Sequence, residues 1–167
     1  MAHVITAPSL DVAIFSPVVF LAGGISKCKD WQKEVIRELA SESITLINPR
    51  QESFDVSDKN ASFKQIEWEF NRLEKMDIFS MYFCNSESVQ PICMYELGRN
   101  VLRMQNRFPS DWEKRIIISV EKGYSRREDV VTQIYLCAPF LFVETAADPI
   151  THARYIRRRC YDVRKQN

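Results

Sequence analysis

The chain has 167 residues, 46% of them hydrophobic and 27% charged, with a net charge of +1. That length and mixture suit one globular domain with its own core and exclude a disordered or low-complexity protein. So even a charge balance supplies no field for a nucleic-acid polymer or an anionic membrane, and neither is expected as a partner.

Residues 1–16 read as an N-terminal extension. The apolar run "VAIFSPVVFLA" is broken by Ser16 and Pro17, falls well short of the roughly 20 residues of a membrane span, and has no basic leader, so neither a span nor a secretory signal is expected. Its second half, 18–22, reads as a buried strand. A helix over about 30–43 carries Trp31, Val35, Ile36, Leu39 and Ala40 at helical spacing. The strand 44–48 leads into a polar loop, 49–60. A helix from about 61 steps Phe63, Ile66, Phe70 and Leu73 by three and four, which predicts one apolar face. Then come a strand at 77–84 and a helix opening at Pro91. The second half of the chain reads as a strand at 115–120, a helix over 127–138, a strand at 140–144, and a terminal helix over 148–167 opened by Asp148 and Pro149. The basic run "RYIRRRCYDVRK" spreads its charges around that last helix, as the solvated face of a docked helix does.

Strands alternating with helices predict a single-domain α/β fold, a five-stranded parallel doubly wound sheet of flavodoxin-like (Rossmann-like) character. Five cysteines, Cys28, Cys84, Cys93, Cys137 and Cys160, show no CxxC pairing, and His3 and His152 are the only histidines. Neither a disulfide framework nor a metal site is suggested, no cofactor is indicated, and reduced thiols in the cytoplasm fit best.

Open parallel sheets bind ligands beyond the carboxyl ends of their strands, so the informative loops begin at Ala22, Asn48, Asn85 and Glu121. "LAGGISKCKDW" follows the first predicted strand without matching either common nucleotide fingerprint. It is a simple tight turn or a glycine-rich turn whose N–H groups, with Ser26 and Lys27, hold a phosphate or a sugar hydroxyl. In "QIEWEF", Glu67 and Glu69 flank Trp68, and pairing with Arg72 or Lys75 is the bland expectation. "MYELGR" sets Glu96 near a helix start among Cys93, Met94, Tyr95 and Leu97, two residues before Gly98. The helix dipole alone accounts for an acid there. Alternatively, the helix N–H groups hold it ionised and it attacks an electrophilic carbon.

Taken in order, "VFLAGGI", "QIEWEFNRLEKMDIF" and "MYELGR" resemble the nucleoside 2-deoxyribosyltransferase superfamily, including its deoxynucleoside monophosphate N-glycosidase branch, over roughly residues 18–120. The resemblance implies that Glu96 is the nucleophile and that Glu69 binds the sugar hydroxyls. It implies substrate contacts from Gly23, Gly24, Ile25 and, more loosely, Ser26, and Lys27, Asn48, Arg50, Trp68, Ser86 and Ser88 are further substrate-binding candidates. Gly98 would let the helix of Glu96 lie close to its neighbours. The implied reaction cleaves the N-glycosidic bond of a (deoxy)nucleoside through a glycosyl-enzyme and transfers the deoxyribosyl group to another base. Hydrolysis of a (deoxy)nucleoside 5′-monophosphate to free base is the alternative, and a non-catalytic nucleotide-binding module is a third reading. A homo-oligomer is also implied, with "FPSDW" and "QIYLCAPFLF" as candidate interface segments and core burial as the competing fate of the second.

Overall fold

The computed structural model describes residues 1–53 and 57–165. Six strands alternate with five α-helices: β1 (His3–Thr6), β2 (Val18–Gly23), α1 (Trp31–Glu38), β3 (Thr45–Asn48), α2 (Ala61–Leu73), β4 (Ile78–Phe83), α3 (Pro91–Arg107), β5 (Ile116–Glu121), α4 (Arg127–Cys137), β6 (Val143–Ala146) and α5 (Pro149–Arg164). They form one sheet in the order β1-β3-β2-β4-β5-β6, parallel at every pairing. The predicted α/β class and parallel sheet hold, with one strand more than expected. Part of the supposed N-terminal extension is β1, which adds to the edge of β3 with His3 opposite Thr45 and Thr6 opposite Asn48. Four residues that borrow their partner from the far side of α1 leave little local pattern to read. Residues 54–56 of the predicted polar loop and 166–167 of the predicted terminal helix lie outside the described residues.

The burial pattern explains the layers. Every residue of β4 and β5 is buried, as a strand covered on both faces requires. One face packs Trp31 and Val35 of α1, with Leu39 just past its end, against Ala153, Ile156, Cys160 and Val163 of α5. The other packs Trp68 and Leu73 of α2, Cys93, Leu97 and Val101 of α3, and Val130 and Ile134 of α4. The starts of α1 and α5 carry side-chain caps: Asp30 accepts from Lys33 N (3.1 Å) and Asp148 from Thr151 N (2.7 Å), with Pro149 in the first turn of α5. The basic run of α5 does sit on a docked helix, where Arg157 pairs with Glu38 and Glu42.

The predicted apolar face of α2 is a correction. Only Leu73 of that set is buried, whereas Phe63, Ile66 and Phe70 are exposed, at 67%, 65% and 45%. The helix turns Trp68 to the core instead, so its apolar stripe faces outward. No helix among the described residues is long and apolar enough to cross a membrane.

Strand order fixes where a ligand can enter. The chain passes from β2 to β3 on one side and then to β4 on the other, so β2 and β4 lie adjacent while their outgoing loops part in opposite directions. That reversal opens a crevice at the carboxyl ends of β2 and β4.

One polar cluster is buried between the sheet and α5. His152 of α5 hydrogen-bonds Ser80 Oγ of β4 through Nε2 and Ser119 Oγ of β5 through Nδ1, both at 2.8 Å, while Trp31 and Tyr82 pack on its ring. Burial pushes its pKa down from 6.5 to about 3, so it is neutral in the native state. His152→Leu strands both hydroxyls and should cost about 2–4 kcal/mol at pH 7.5. Below pH 6.5 the unfolded wild-type chain binds a proton that the native state refuses, so wild type loses stability that the variant keeps. The gap should therefore narrow by about 2 kcal/mol at pH 5, which denaturant midpoints at the two pH values will measure.

Candidate functional site

The crevice is walled by the loops after β2 and β4, and glycine permits their approach. At Gly23, with φ +152°, a Cβ would lie 2.3 Å from Tyr82 O on β4. At Gly24 it would lie 2.5 Å from both Cys28 Sγ and Gln90 Oε1. No side chain fits at either position without displacing its neighbours.

Both loops are braced from behind. Arg50 Nη2 donates to the carbonyls of Gly24, Ile25, Cys28 and Lys29 at 3.0–3.4 Å, and Trp31 Nε1 donates to Gly24 O at 2.9 Å. Glu121, at the end of β5, accepts from Lys29 Nζ (2.6 Å) and from Asn85 N (2.8 Å), tying one loop to the other. Gln90 directs Nε2 to Cys84 O (2.7 Å) and Ser88 O (3.3 Å), which holds its backbone at φ +50° immediately before Pro91 opens α3.

Between these walls lies a cleft of about 290 Å³ lined by Gly23, Gly24, Ile25, Ser26, Ser88, Gln90, Pro91, Ile92 and Cys93, with Glu69 from α2 and Glu96 from α3. Glu96 is partly buried, and among the described residues its carboxylate takes no hydrogen bond. Burial pushes its pKa up to about 7, the negative charge of Glu69 adds to the rise, and Arg99 opposes it. The Glu69 carboxyl is also raised, by burial, against a hydrogen bond from Gln65. The two sequence-predicted carboxylates thus share one cleft and feel each other electrostatically.

Helix N–H groups do not hold Glu96 ionised, contrary to the expectation from its place near the start of α3. Burial first, and then the charge of Glu69, push the group up to about 7. Glu69 does not pair with Arg72 or Lys75 either. Arg72 turns away to the carbonyls of Ser9 and Asp11.

The other predicted residues divide by place. Gly23, Gly24, Ile25, Ser26 and Ser88 line the cleft. Ser86 stands behind it, its hydroxyl 3.2 Å from Cys28 Sγ, and exposed Lys27 lies at the rim of the loop with φ +57°. Asn48 is buried and accepts from Arg50 N. Arg50 spends its guanidinium on backbone carbonyls, Gln32 and Asp30. Trp68 lies outside the cleft, 7% exposed, its Nε1 donating to Ser9 O (2.7 Å). Gly98 does not serve close packing within the chain, since a Cβ there would meet nothing within 4 Å. It faces an open groove of about 690 Å³ between α3 and α4. Gln65, Gln90 and Cys93 belong to the site and were not read from sequence. Gln65 alone had a signal there, lying one helical turn before Glu69.

The family described as nucleoside 2-deoxyribosyltransferase like matches residues 16–108, more than half of the chain. The chain belongs to that family. A search of curated proteins finds no match. The stretch matched to the nucleoside 2-deoxyribosyltransferase-like family runs from the entry to β2 to the end of α3, so it holds the glycine loop, Glu69 and Glu96. The braces of the site lie partly beyond it, at Glu121 and Tyr124, whose hydroxyl donates to Val89 O (2.8 Å).

Glycine substitutions separate the two kinds of glycine in this family member. Gly24→Ala should lower stability by about 2 kcal/mol or more, through the clash with Cys28 and Gln90. Gly98→Ala should raise it by about 0.5–1 kcal/mol, since an unobstructed helix interior favours alanine. Thermal unfolding of the two variants checks both signs.

Proposed function

We propose that the protein cleaves the N-glycosidic bond of a deoxynucleoside and transfers the deoxyribosyl group to a second base. The observation that carries the reading is the pairing of Glu96 and Glu69 across a cleft walled by the glycine loop, in a chain of the nucleoside 2-deoxyribosyltransferase-like family.

In this reading, positive charge grows on the sugar as the base departs, and a carboxylate facing the anomeric carbon stabilises it. A Glu96 oxygen forms the new bond to that carbon, while the bond to the base nitrogen breaks and its electron pair leaves with the base, which takes up a proton. The resulting glycosyl ester is attacked by a nitrogen of the incoming base, which loses its proton and frees Glu96. Glu69 accepts hydrogen bonds from the sugar hydroxyls and fixes the ring over Glu96. Ser26 and Ser88, with the backbone of Gly24 and Ile25, line the cleft and in this reading make polar contacts to the substrate.

Only ionised Glu96 attacks. Because its pKa is raised to about 7, kcat/KM should rise with pH through about 7 and level off above. Glu96→Gln should lower kcat by on the order of 10³-fold or more. Chromatography of free base and exchanged nucleoside, over deoxynucleosides and their 5′-monophosphates with and without a second base, measures both. Base release from monophosphates alone would turn the reading to hydrolysis, and ligand binding without turnover would turn it to a binding module.

We also infer that copies of the chain assemble. Phe63, Ile66 and Phe70 of α2 and Ile92 and Tyr95 of α3 are exposed beside the cleft, and Arg99 lies over both the Phe70 and Tyr95 rings (5.2 and 5.9 Å), joining the two helices into one apolar surface. The two segments first considered contribute less evenly. Phe108 and Trp112 pack on the core, and Ile134 and Leu141 are buried, but Tyr135, Leu136, Phe140 and Phe142 are exposed. Phe70→Glu should shift the sedimentation coefficient to that of a monomer. A wild-type chain that is monomeric and active at nanomolar concentration would refute the assembly.

A further inference from the structure

Glu69 is held by Gln65, the first residue of the "QIEWEFNRLEKMDIF" motif, to which the sequence assigned no role. Gln65 lies four residues earlier on α2, on the same face. Its Nε2 donates to Glu69 Oε1 (2.5 Å) and to Pro49 O (2.8 Å), and its Oε1 accepts from Gln51 Nε2. Two acceptors face Nε2 and one donor faces Oε1, so only one orientation of the amide satisfies all three bonds. The relay runs from the loop after β3, through Gln65, to one oxygen of Glu69. Among the described residues the other oxygen of Glu69 takes no hydrogen bond, and Glu69 lines the cleft.

We propose that Gln65 is a positioning residue that fixes the Glu69 carboxylate against the end of β3, so that its free oxygen is presented to the ligand. The proposal rests on the reading of Glu69 as the sugar-binding carboxylate. Burial drives Glu69 toward its neutral form, and the Gln65 hydrogen bond is the influence that opposes this. The charged groups facing Glu69 are Glu96 and, beyond it, Arg99, both on α3. The glycine loop at Gly23–Ser26 and the anchors Pro49 and Gln51 bring no ionisable side chain. No cation contacts Glu69 among the described residues, so a neutral amide does the work that an ion pair would do elsewhere. The effect reaches Glu96 as well, because an ionised Glu69 is what raises Glu96 beyond the effect of burial.

Gln65→Leu keeps the bulk and removes the donor, whereas Gln65→Glu sets a second carboxyl against Glu69. Carbon-13 NMR of protein labelled at the glutamate carboxyl carbons, with the Glu69 signal assigned from Glu69→Gln, gives the Glu69 midpoint without substrate. In Gln65→Leu that midpoint should move up by about half a pH unit or more, and in Gln65→Glu further still. On the best deoxynucleoside substrate, kcat/KM of Gln65→Leu should fall by about threefold or more on the acid side of the profile and by less as pH rises and Glu69 ionises regardless. An unmoved midpoint, or a loss equal at all pH values, would assign Gln65 to plain structural support and overturn the proposal. If wild type turns over no substrate, the proposed function falls while the NMR midpoint still decides the link between Gln65 and Glu69.

Discussion

Two carboxyl groups held in one partly desolvated cleft repel each other, and the parts around the cleft answer that repulsion. Neither Glu69 nor Glu96 has a lysine or arginine bound to its oxygens among the described residues. A fully paired carboxylate would be a poor nucleophile and a poor receptor for hydroxyl groups, since its lone pairs would already be occupied. The arrangement instead leaves Glu96 bare and raised, gives Glu69 one neutral partner in Gln65, and keeps Arg99 at a distance that only moderates the charge. In the proposed reaction, the positive charge that grows on the sugar as the base departs would offset that repulsion.

Such a cleft needs rigid walls, and these come from residues behind it or at its edge. Arg50 clamps the glycine loop by its carbonyls, Glu121 joins that loop to Asn85, and Gln90 locks the turn into α3. Arg50 and Glu121 reach across from the ends of β3 and β5, while Gln90 acts within its own loop. The crevice created by the reversal of strand order is therefore closed from behind by long-range contacts. This explains why Arg50, chosen from sequence as a ligand contact, is found holding the backbone instead.

The periodicity of the chain made the fold legible: apolar runs spaced by helical patterns demanded a parallel sheet, and the glycines after 22 marked its carboxyl edge. Glu69 and Glu96 were legible only through their motifs, because burial and mutual repulsion depend on two helices meeting. Three features escaped for physical reasons. The strand β1 takes its register from β3, so four residues in isolation carry little signal. Outward rotation of α2 reverses a face that spacing alone assigns to the core, because Trp68 outcompetes Phe63 and Ile66 for it. At Gly98, sequence shows a missing side chain but not what stands opposite, which is open space.

The claim that most of this rests on is the identity of Glu96 as the atom donor to the sugar. Its direct measurement is mass spectrometry of protein rapidly quenched in acid during turnover of a deoxynucleoside or deoxynucleoside monophosphate, followed by digestion and sequencing of the peptide that spans α3. A deoxyribosyl adduct on Glu96, absent from Glu96→Gln and lost on addition of a second base, is the result the structure leads us to expect. An adduct on another residue, or sustained turnover with unmodified Glu96 at every quench time, would contradict it.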